Sequence, residues 1–116
     1  MKRAAVERLQ DARHFALEAR QIAFGVPADV FAESKHYQYA VRYCLMPIGE
    51  ALRHVPAEIQ ALAPDIPWRS IINMRHRLAH DYWLTDPHIV LEAAERQVGD
   101  LAATLDRLVA RLGDAP

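Results

Sequence analysis

The 116-residue chain has one cysteine, four glycines, no apolar run of membrane-spanning length and almost no net charge. Each shortage excludes something. Cys44 alone cannot form an internal disulfide, so the chain suits a reducing, cytoplasmic setting. It lies in an apolar run and reads as an inert core residue rather than a nucleophile. No stretch approaches the ~18 apolar residues of a transmembrane helix, so no membrane partner is expected. The opening "MKRAAVERLQDAR" is charged throughout and does not read as a signal peptide. A net charge of −1 gives no global attraction to nucleic acid; any such partner must be held by a local patch. Repeats, low-complexity tracts and strand-like alternation are also missing. What is present, 52% apolar and 25% charged residues, predicts a globular chain, with residues 1–116 forming one domain.

The apolar residues recur at helical spacing almost everywhere, which predicts an all-α, antiparallel four-helix bundle. Val6, Leu9, Ala12, Ala16, Ala19 and Ala23 mark a first helix over 3–24, stopped by Gly25 and Pro27. Asp29 can cap a second, with the stripe Tyr37, Val41, Cys44, Ile48, Leu52 and Val55; Pro47 inside it should kink or break the helix. Pro56, Pro64 and Pro67 mark a connection with room for a short helix at 57–62. A third main helix is expected from Pro67 to Tyr82. A fourth starts at the cap Asp86 with Pro87 in its first turn and closes at Gly113. Its stripe, Leu91, Ala94, Val98, Leu101, Leu105, Leu108 and Leu112, steps by threes and fours like a helix packed along its whole length.

The stretch "NMRHRLAHDYW", residues 73–83, carries the chemistry. Arg75 occupies the apolar stripe Trp68–Ile71–Arg75–Leu78–Tyr82. A guanidinium there needs an acidic partner such as Glu50, or the stripe must open to a cleft or a subunit interface. His76 and His80, four apart, share a helical face and could hold zinc. However, no Glu follows the first His, Arg77 lies between the two, no Cys is near and Asp81 points elsewhere. Two solvated histidines fit the same spacing. Arg75 and His80 lie roughly 140° and 7.5 Å apart on an ideal helix. They are therefore not on one face, although a long arginine or a two-fold axis could bring them into a common cleft. His80 and Tyr82 would project to opposite sides, so the helix is expected to fray or end near Asp81.

Arg75, four residues, His80, one residue, Tyr82 resembles the R-x4-H-x-Y motif of HepT-like toxins, a branch of the HEPN ribonucleases. "IGEALRHV" at 48–55 resembles that family's Gly-Glu-Ala helix, and "IPWRSIINMRHRLAHDYW" at 66–83 its Pro-Trp…Arg…His-Asp-Tyr block. Two positions depart from the pattern: His76 follows the motif arginine where Asn is most frequent, and Asn73 stands where Gly is frequent. Neither removes a reacting group.

The resemblance implies a HEPN-like homodimer whose two motifs meet in one cleft and cleave RNA without metal or cofactor. It further implies the toxin half of a type VII toxin–antitoxin system. The partner is a cognate MNT-type nucleotidyltransferase antitoxin, which silences the toxin by AMPylation of the motif tyrosine, here Tyr82. The residue types suit these roles. An imidazole, with an ordinary pKa of about 6.5, can take the proton of a ribose 2′-OH, the role assigned to His80. Arg75 offers paired planar donors to a phosphate. His76 and Arg77 would position substrate, with His76 also available for a second proton transfer. Three arginines (69, 75, 77) against Asp81 form a local phosphate-attracting patch. Tyr37, Tyr39 and Tyr43 could stack on bases, but their helix positions favour a core or interface role. A second reading stays open: a HEPN-fold module that binds a nucleotidyltransferase or nucleic acid and cuts nothing.

Overall fold

The structure, a computed structural model, describes residues 2–80 and 86–114. Among them every regular element is helical, in a bundle of the expected all-α kind. Helix α1, Lys2–Ala23, buries Ala5, Leu9, Ala12, Ala16, Ala19 and Ala23, while Val6 sits at the edge of that stripe. Five of these six are alanine, which lets neighbouring helices approach closely. Gly25 ends the helix in the left-handed conformation, with φ of 76°.

The second expected helix is two. Helix α2, Ala28–Glu33, begins at Pro27, so Asp29 lies in its first turn and does not cap it. Ser34 then leaves the helical conformation, and its hydroxyl accepts from the Tyr37 amide to start α3, Lys35–Leu52. Gln38 fastens the joint: its buried side-chain amide donates to the carbonyls of Phe31 and Ala32 at 2.9 and 3.0 Å. The chain ends that α2 leaves open are thereby satisfied. Helix α3 runs through Pro47 without the break that was one of the two expected outcomes. A proline removes one ladder hydrogen bond, and here packing of the buried stripe Val41, Cys44, Leu45, Ile48 and Leu52 outweighs that loss.

Short α4, Ala57–Gln60, leads to α5, Trp68–His80. Trp68 anchors its start, the indole N–H donating to the Ala63 carbonyl at 3.0 Å. After the connection, Asp86 caps α6, Pro87–Glu92, by accepting from the His88 amide at 2.9 Å, with Pro87 in the first turn. A π-helical turn, Ala93–Gln97, joins α6 to α7, Val98–Asp114, which continues past Gly113. The predicted stripe from Leu91 to Leu112 is buried throughout. Helix α1 packs against both α3 and α7, whereas α5 leans chiefly on α3. The position of α5 is therefore set by α3.

Candidate active site

Glycine at position 49 lets α5 sit tightly on α3. A Cβ there would overlap Arg75 Cβ and lie 3.0 Å from the Ile71 carbonyl oxygen. This approach brings Arg75 beside the next residue of α3, and its Nη2 lies 3.3 Å from Glu50 Oε2. The arginine on an apolar stripe thus has its acid partner, and its side chain is still 34% exposed. Glu50 serves more than one cation. Arg53 Nε is 3.0 Å from Oε2 and His54 Nε2 is 3.3 Å from Oε1. These hydrogen bonds, from Arg53 first and His54 second, hold the Glu50 carboxyl below the ordinary carboxylate range. The "GE" pair therefore does two jobs: the glycine allows the approach, and the glutamate orients the guanidinium.

Both faces of α5 are used. Ile71 and Met74 line an apolar cavity of about 330 Å³ together with Leu45, Ile48, Val98 and Leu101. His76 stands about 200° from Met74 on the helix and is exposed. Its ring lies against that of His80, with centroids 4.5 Å apart. The imidazoles therefore face away from the cavity, toward solvent. Arg77 and His80 are exposed and Leu78 is buried. Among the described residues no three His, Cys, Asp or Glu side chains cluster as a metal set would. Tyr82 and Asp81 lie outside the described residues, and so does the expected end of the helix near Asp81.

Two expectations need correction or extension. Tyr37, placed in the second-helix stripe, is 38% exposed, and Tyr39 and Tyr43 are 59% and 72% exposed. None is a core residue: the core side of α3 is taken by Val41, Cys44, Leu45 and Ile48. The sequence alone offers Glu50 only as one possible partner of Arg75. The 50–53–54 cluster around it was missed, although spacings of three and four residues could have suggested it. Cys44 is buried as expected, and desolvation, then the nearby Glu18 charge, push its thiol pKa up. That is the behaviour of an inert thiol.

Fold and motif together define a class: a helical bundle whose Arg–x4–His segment is carried by one helix and oriented by a glycine–glutamate pair on the next. The ribonuclease HepT-like family profile matches residues 6–108, and the chain belongs to that family. It is 31% identical over 113 residues to a Thermococcus cleftensis protein named "Probable ribonuclease HepT", covering 93% of this chain and 98% of that one. Two Methanocaldococcus jannaschii proteins with provisional RNase names are each 32% identical over 79 residues. Those matches span 68% of this chain, and 68% and 65% of theirs. No solved structure matches the chain.

Proposed function

We propose that this protein is a metal-independent endoribonuclease in which Arg75 and His80 are the catalytic residues. The observation that carries the reading is the Glu50–Arg75 pair at the α3–α5 crossing. It holds a guanidinium partly open to solvent on the helix that also presents His76 and His80. In the reaction, His80 takes the 2′-OH proton and the 2′ oxygen attacks phosphorus. The bond to the 5′ oxygen breaks, and that oxygen receives a proton from the second imidazole, His76. Arg75 donates to the phosphoryl oxygens as their charge grows, and Arg77 adds a positive charge for the incoming strand. The products are a 2′,3′-cyclic phosphate and a 5′-hydroxyl. Residues 1–116 work as one domain, and two copies form a homodimer with a shared cleft.

The same reading makes the chain the toxin of a type VII toxin–antitoxin pair. Its cognate MNT-type nucleotidyltransferase transfers AMP from ATP to the Tyr82 hydroxyl, releasing pyrophosphate. The added charge and bulk two residues from His80 repel an RNA phosphate. The deciding experiment is cleavage of a fluorogenic single-stranded RNA in EDTA. Wild type should cut with chelator present, while Arg75→Ala and His80→Ala should stay folded and not cut. Arg75→Lys should recover little, because a point charge does not reproduce a forked donor. Retained cleavage by purified His80→Ala protein removes His80 from the mechanism. Zinc-dependent activity would point instead to His76 and His80 as metal ligands.

A further inference from the structure

The solvent side of α3 carries a row of residues of which the cleavage chemistry uses only Glu50. Taken around an ideal helix, His36, Tyr39, Tyr43 and Glu50 all fall within about 40° of Tyr43. The row runs along the side opposite the buried Val41, Leu45 and Leu52. Tyr39 and Tyr43 are 59% and 72% exposed, unusual for large rings on a well-packed helix. Their row leads to Glu50, which holds Arg75. At ~1.5 Å per residue, Tyr43 stands about 10 Å and Tyr39 about 16 Å along the axis from Glu50.

We infer that Tyr39 and Tyr43 form a stacking subsite for unpaired bases of an RNA strand whose phosphate lies at Arg75. The inference rests on the RNA-cleaving reading above and adds what selects the strand. A tyrosine ring is a π-face that any base can stack on, independent of sequence. The two rings are about 6 Å apart along the helix, wider than the ~3.4 Å repeat of a stacked duplex strand. They therefore suit bases splayed out of a single strand and not a paired stem. The charges flanking the row fit a polyanion. Helix α5 carries Arg69, Arg75 and Arg77 and no acid, and Lys35 and His36 stand at the far end of the row. Glu50, the one acid in the row, is already engaged by Arg53, His54 and Arg75.

The test uses the full-length protein and a labelled single-stranded 2′-O-methyl oligonucleotide, which lacks the attacking hydroxyl and so reports binding alone. Tyr39→Ala/Tyr43→Ala should raise Kd at least tenfold, since each lost stack weakens binding by about fivefold or more. Tyr39→Phe/Tyr43→Phe should bind within twofold of wild type, because the ring and not the hydroxyl is used. A hairpin lacking an unpaired tail should bind weakly and equally to all three proteins. An alanine double variant that binds within twofold of wild type overturns the subsite. So does one whose mass by light scattering falls to that of a monomer, which would assign the tyrosines to contact between copies. The two readings fail separately. Wild-type protein that binds the strand through the tyrosines but never cleaves 2′-OH RNA loses the ribonuclease and keeps the subsite. Cleavage with KM unmoved by the double substitution does the reverse.

Discussion

Replacing Gly49 by alanine sets two effects of known sign against each other. In the middle of a helix alanine is favoured over glycine by about 1 kcal/mol, so propensity alone predicts a more stable protein. Packing predicts the opposite. The new Cβ would overlap Arg75 Cβ and meet the Ile71 carbonyl oxygen at 3.0 Å. Neither is the loose end of a flexible side chain, and carbon contacts relax only at about 3.5–4.0 Å. Helix α5 must therefore move off α3 by about 1 Å. Overpacking of this kind costs ~1–3 kcal/mol, and fixed atoms on both sides put it at the upper end. The clash wins by roughly 2 kcal/mol, a fall in Tm of about 8 °C at ~4 °C per kcal/mol for a chain of this size. The same displacement carries Arg75 away from Glu50. Misplacement by about 1 Å at a catalytic group can cost ~100-fold in rate. Thermal melts by circular dichroism read the first effect, and RNA cleavage well below the melting range reads the second. A Gly49→Ala protein that melts higher than wild type and cleaves normally would refute the close-crossing argument.

Two further outcomes follow from the same region. Glu50→Gln should fold, because Glu50 is solvent-facing, yet lose most RNA cleavage through a lower kcat as Arg75 loses its orienting charge; an unchanged kcat would make the pair ornamental. Glu50 also predicts a pH effect. Its carboxyl is held below the ordinary range, so what it contributes to stability is fully present above that range. The contribution is lost as pH falls through the lowered value, and the Tm-versus-pH curve of Glu50→Gln should therefore be flatter on the acid side. Tyr82→Phe should keep at least part of the cleavage activity and escape silencing by a co-expressed nucleotidyltransferase. Mass spectrometry should place AMP on the Tyr82 peptide of wild type only, and efficient AMP transfer to the Phe variant would move the acceptor elsewhere.

The helical architecture was legible because its signals are local. The Leu91–Leu112 stripe, the Asp86–Pro87 start and the Gly25 stop each act within a few residues. The misreadings came where a distant partner decides. Ser34 and Gln38 split the second helix through bonds across the joint, and no periodicity encodes a glutamine reaching back to Phe31 and Ala32. Propensity at Pro47 allows a break, and tertiary packing of the buried stripe keeps the helix continuous there. At the candidate site, Arg75 announced itself by standing on an apolar stripe. The need for Gly49 did not, because a close helix crossing is a property of two segments and appears in neither alone. The helix positions of Tyr39 and Tyr43 favour a core or interface role, and their exposure rules out the core half of that reading. Only the orientation of α3 in the bundle decides which side of it is wet.

The alanine stripe of α1 gives this protein an uneven tolerance to change. Its six buried positions hold five residues that lose no side-chain entropy on folding and have almost no volume to give up. Random mutation can therefore injure this stripe in essentially one direction, by enlargement. On α7 the buried Leu101, Leu105, Leu108 and Leu112 face the opposite hazard, since truncation leaves a cavity and enlargement is the rarer event. Two helices of one core thus record drift differently. In a library of variants, survivors should be small-for-small on α1 and large-for-large on α7. Compensation between the two should run one way: a larger residue accepted on α1 needs a smaller one where α7 packs against it.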